Sequence, residues 1–134
     1  MSPASAADRR VLHRDVGSAV VDFVLVGALT TLLAASVLQL MLALHVRTTL
    51  IDCAAEGARY AALADRDPAQ GVERTRALIT TSLSDRFAED VSARSTVIDG
   101  LPVVEVQVTA PLPLLGLLGP STLTVRGHGL EEAP

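Results

Sequence analysis

From Phe23 to Leu44 the chain carries no charged residue. At ~1.5 Å of rise per residue those 22 positions make a helix of ~33 Å, against a bilayer core of ~30 Å. The run is therefore long enough to span a membrane, and it dictates how the rest can be used. About 90 residues follow it, enough for one small mixed domain and too few for a large enzyme core. A soluble cytoplasmic enzyme has no use for such a helix.

Composition removes further classes. The net charge of −4 and the 2% aromatic content argue against a nucleic-acid binder, which needs basic surface and rings for stacking. Cys53 is the single cysteine, so an internal disulfide framework and a cysteine-based zinc cluster are both excluded.

The segment before the run, Met1 to Gly17, is short and polar and carries Arg9, Arg10, His13 and Arg14. A secretory signal has an apolar region of ~7–15 residues with a small-residue cleavage site after it. Here the run is longer, and the small pair Gly17-Ser18 precedes it. Three arginines before the helix, against Arg47 and Arg59 after it, bias the leader towards the cytoplasm. Asp22 stands at the mouth of the run, where a carboxylate costs less than the ~3 kcal/mol of a helix centre. Position alone allows it to be a hydrated interfacial residue.

Gly17-Ser18-Ala19-Val20-Val21-Asp22-Phe23 resembles the processing site of type IV pilins: a basic leader ending in Gly, a small residue, then an apolar helix with an acid at its fifth position. In that family the acid is usually Glu, so Asp22 is a conservative departure. The resemblance implies cleavage by a prepilin peptidase between Gly17 and Ser18, and a role for Asp22 and Phe23 in assembly. Further on, Ala54-Ala55-Glu56-Gly57-Ala58-Arg59-Tyr60-Ala61-Ala62 resembles the signature that follows the membrane helix in TadE-like minor pilins of the tight-adherence (Tad/Flp) system. Glu56, Gly57, Arg59 and Tyr60 carry that likeness. Two motifs in order, separated by a membrane run, are more specific than either alone.

Beyond His45 the pattern turns amphipathic: Val46, Leu50, Cys53, Gly57, Tyr60, Ala61 and Ala64 recur at steps of three and four. Arg47, Asp52, Glu56 and Arg59 take other faces, with Glu56 and Arg59 spaced to pair. One helix from Ser18 to Ala64 would be ~70 Å long. Asp67-Pro68 with Gln70 predicts the capped start of a second helix running to Ala88, with Val72, Thr75, Ile79, Leu83 and Phe87 on one face. Val91 to Ile98 reads as a strand and Asp99-Gly100 as a two-residue hairpin turn. Val104, Val106 and Val108 form a second strand whose start Pro102 demotes or places on an edge. A third strand covers Leu123 to Leu130, with Thr122, Thr124, Arg126 and His128 facing water. Pro111 to Pro120 is apolar, fenced by Pro and Gly and too short to span a membrane. It reads as ordinary core or as an exposed contact for a partner.

The expected architecture is a membrane-anchored α+β protein with a type IV pilin-like layout: leader 1–17, transmembrane and stalk helix 18–64, and a small extracytoplasmic domain 65–134 with an antiparallel sheet. No catalytic constellation emerges. His13, His45 and His128 are far apart, Cys53 has no neighbouring His, and the glycines form no phosphate loop. No cofactor, metal, small-molecule substrate or nucleic acid is expected. The resemblance implies a single-pass protein of the cytoplasmic membrane whose partners are the prepilin peptidase, other pilin or pseudopilin subunits, the Tad assembly machinery and membrane lipid. The competing reading is an uncleaved single-pass envelope anchor whose outer domain binds a partner. An accessory subunit of an enzyme lacks any site to support it.

Overall fold

A computed structural model describes residues 6–112 and 121–133. Two helices, α1 (Ala6–Ala61) and α2 (Pro68–Ser82), are followed by a short 3-10 turn (Asp85–Phe87). Three strands complete the chain: β1 (Asp90–Ile98), β2 (Leu101–Pro111) and β3 (Thr122–Leu130). The class is α+β, with one long apolar helix and a small antiparallel sheet. The described residues fall into two compact units that divide between Leu38 and Gln39.

In the first unit the side chains from Val16 onward are exposed, with Phe23 at 78%. The Thr30, Thr31 and Ser36 hydroxyls each donate to the carbonyl four residues back, on Val26, Gly27 and Leu32, at 2.8–2.9 Å. These hydroxyls are satisfied within the helix, as a hydrocarbon environment requires. From Val16 onward α1 is long and apolar enough to cross a membrane.

The second unit holds the core. Leu50, Ile79, Val104, Val106 and Val108 are fully buried, each contributing about 1.5–3 kcal/mol of transfer free energy. The sheet order is β1-β2-β3, both pairs antiparallel. Val91, Val108 and Val125 share one register row, and Ala93, Val106 and Gly127 share the next. That face packs on the small-residue side of α1. The Asp99-Gly100 turn places both residues at positive φ, 52° and 80°, the geometry that matches the twist of a hairpin. At the start of α2 the capping box forms as the residues dictate. The Gln70 N–H donates to Asp67 at 2.8 Å, and the Asp67 N–H donates to the Gln70 side chain at 3.4 Å.

Three expectations are corrected. α1 ends at Ala61 rather than Ala64, because the chain turns at once, with the Arg66 N–H bonded to the Leu63 carbonyl at 3.0 Å. α2 stops at Ser82 rather than Ala88: Leu83 leaves the helical region at φ −127°, ψ −94°, and Phe87 reaches the core from the 3-10 turn. Pro102 lies in the central strand, not on an edge. Its missing N–H falls on the β3 side, where β3 pairing has already ended at Leu130 opposite Val103. Its carbonyl there accepts from the Glu131 N–H at 3.0 Å, so no ladder bond is lost. The apolar stretch within 111–120 lies mostly outside the described residues.

Candidate functional site: the anchor, the stalk segment and the open sheet face

Gly17, Ser18, Asp22 and Phe23 all lie on α1 and are exposed. A Cβ added at Gly17 would meet nothing within 4 Å, so the fold itself does not require glycine there. Asp22 is one helical turn beyond Ser18, on nearly the same side of the helix.

The segment 54–62 divides by face. Ala54, Gly57, Ala58, Ala61 and Ala62 are buried, Glu56 and Tyr60 are half-buried, and Arg59 is exposed. The small residues are there because backbones cross them. A Cβ at Gly57 would lie 2.9 Å from the Gly71 carbonyl of α2 and collide with the Thr75 hydroxyl, and one at Gly71 would lie 2.9 Å from the Gly57 carbonyl. The two helices therefore meet glycine to glycine. On the sheet side, Cβ atoms at Gly127 and Gly129 would stand 2.6 and 2.5 Å from the Ala54 and Ala58 carbonyls. Ala54, Gly57 and Ala58 are thus the seam on which both α2 and β3 close.

The outward residues of the same segment make their own contacts. Glu56 accepts from Arg59 at 2.9 Å, both side chains reaching solvent, a pair worth about 0.3 kcal/mol. The Tyr60 ring carries Arg66 at 4.7 Å and Arg74 at 6.0 Å. An open groove beside it is lined by Tyr60, Asp67, Ala69, Gln70, Glu73 and Arg74. Cys53 is buried. Burial pushes its thiol above the usual range, Ser82 opposing and the Asp52 charge reinforcing the rise. That is the setting of a packed side chain rather than a nucleophile.

The face of the sheet turned away from α1 carries a cluster that the sequence does not announce. Glu105 is only 8% exposed. It accepts from Arg94 of β1 at 2.8 Å, meets His128 Nε2 of β3 at 3.0 Å, and has Arg126 at 3.9 Å. Burial favours its neutral form, but the His128 hydrogen bond and the Arg94 charge outweigh that and hold the carboxyl below its usual range. Arg94, Glu105 and His128 occupy one register row across three strands, so the group is a cross-strand ladder. The signal was the alternation itself: a Glu between Val104 and Val106 must share a face with its register neighbours. Among the described residues no group of three or more His, Cys, Asp or Glu could hold a metal ion.

A model of the TadE-like protein family matches residues 17–59. No curated protein and no solved structure gives a match. The matched stretch opens at Gly17, contains the apolar run and closes inside the segment whose small residues form the α1 seam. Over residues 17–59 the chain is similar to the TadE-like protein family.

Proposed function

We propose that the protein is a minor pilin or pseudopilin of a Tad/Flp-type pilus, matured by a prepilin peptidase between Gly17 and Ser18, and that it contributes to pilus assembly, adhesion or secretion. The TadE-like family is associated with the Tad pilus, and the family match carries the reading. An exposed Gly17 that the fold does not need is consistent with a glycine kept for a peptidase. In this reading the leader is cytoplasmic and the sheet domain is outside the cytoplasmic membrane. The partners are other pilin subunits and the assembly machinery.

After cleavage Ser18 carries an α-ammonium. When subunits pack laterally, the Asp22 carboxylate of one pairs with the ammonium of its neighbour, offsetting two charges that are each costly inside an apolar bundle. Asp22→Ala should therefore leave cleavage and membrane insertion intact while lowering the protein in sheared surface fractions relative to membranes. Asp22→Glu should restore the ratio. An unchanged ratio for Asp22→Ala would leave Asp22 an interfacial residue with no role in assembly.

A further inference from the structure

The large apolar side chains that the described strands leave exposed all lie at one end of the sheet. Val97, Ile98, Leu101 and Leu130 are between 40% and 67% exposed, and the first three bracket the Asp99-Gly100 turn. Strand alternation sorts them by face. Ile98 pairs with Leu101, and Leu130 and Thr96 flank Val103 in one row, so these residues share the face that carries Glu105. Further back on that face the rows are Arg94-Glu105-His128, Ser92-Gln107-Arg126 and Asp90-Thr109-Thr124. The face thus divides into a polar part and an apolar end, and Val103 is buried at that end. Val97 and its register partner Pro102 point the other way and are exposed as well, so the apolar surface wraps around the hairpin. Exposed apolar side chains scattered singly are ordinary, whereas a contiguous group marks a contact surface.

The charges at this end decide what can cover it. Asp99 stands in the turn itself, and Glu131 and Glu132 follow Leu130 directly, with the Glu131 N–H on the Pro102 carbonyl at 3.0 Å. The Glu131 carboxylate accepts from the Ser95 hydroxyl at 2.6 Å. Among the described residues none of these three acids meets a cation. The guanidiniums of the neighbouring elements are engaged elsewhere: Arg94 with Glu105 at 2.8 Å, and Arg66 over the Tyr60 ring at 4.7 Å and beside Asp65 at 3.6 Å. A second copy docked through the same patch would set Asp99, Glu131 and Glu132 against their own counterparts, which like-charge repulsion opposes. An interface of apolar centre and charged rim needs the opposite sign on the facing rim. We propose that the hairpin end of the sheet docks a different protein, one that presents an apolar patch rimmed by lysine or arginine. The inference goes beyond pilus association and does not depend on cleavage at Gly17.

Photocrosslinking tests this, with p-benzoylphenylalanine placed singly at Leu101, Leu130 or Thr124 of the full-length chain in membranes of its own host. All three positions are exposed, so the replacements leave the core intact. Leu101 and Leu130 should each yield an adduct with the same second protein, and Thr124, on the polar part of the same face, should yield none. The cross-linked partner peptide, read by mass spectrometry, should carry apolar residues flanked by lysine or arginine. Asp99→Asn, a residue type that tolerates the positive φ of the turn, combined with Glu132→Gln should lower the adduct yield several-fold. An adduct between two copies of this chain, or one on a partner peptide without basic residues, would overturn the proposal. So would a yield unchanged by the two neutralised carboxylates, or equal yields at all three positions, including none at any of them.

Discussion

Glu105 shows how one residue can be decided by its neighbours across a sheet. A nearly buried carboxylate is costly alone, and here Arg94, Arg126 and His128 surround it. Its folded-state carboxyl is held below the usual value of 4.5, so ionisation favours the folded state. That contribution is complete above the unfolded value and is lost as pH falls through the lower folded one. Glu105→Gln should therefore destabilise the domain at neutral pH, and the gap from wild type should narrow as pH drops below 4.5. Denaturant melts of the detergent-solubilised protein across that range would show it, and a gap independent of pH would contradict the ladder. The sequence hid this group because its members are 11 and 23 positions apart and meet only through strand register. The Glu56–Arg59 pair, by contrast, was legible because helical spacing alone brings it together.

Among the elements, the helix–sheet seam is the least forgiving feature. Gly127 and Gly129 lie on the α1 backbone, where even one methyl group meets carbonyl oxygens. Gly127→Ala should cost about 1–3 kcal/mol through overpacking and lower the thermal midpoint of the domain. Gly27→Ala, at a position with open space around it, should leave that midpoint unchanged. Equal midpoints for Gly127→Ala and wild type would mean that the seam is looser than described. Periodicity gave the buried stripe through Val46, Leu50, Cys53, Gly57 and Ala61, the α2 cap at Asp67 and the hairpin at Asp99-Gly100, because each is a local rule of spacing or backbone. It missed the burial of Ala54 and Ala58, since alanine carries little hydrophobic signal and its use here is to let a strand approach. It also carried α2 too far: the apolar spacing that reaches Phe87 is met by a 3-10 turn rather than a continued helix.

For the molecule as a whole, the long apolar helix was legible from charge-free length and the family likeness from two ordered motifs, and the family match falls on that same stretch, residues 17–59. The sheet domain follows local rules but carries no motif, which is why its open face had to be found in three dimensions. The central claim is that Gly17 is the last residue of a leader removed by a prepilin peptidase. If so, a side chain at Gly17 should block removal through the peptidase alone, because the fold leaves that position unobstructed. The direct measurement is the intact mass of membrane-extracted protein from a host with a working peptidase, for wild type and Gly17→Leu. Wild type should be shorter by residues 1–17 and begin at Ser18, with the variant at full length. A wild-type mass that still includes residues 1–17 would contradict the pilin reading.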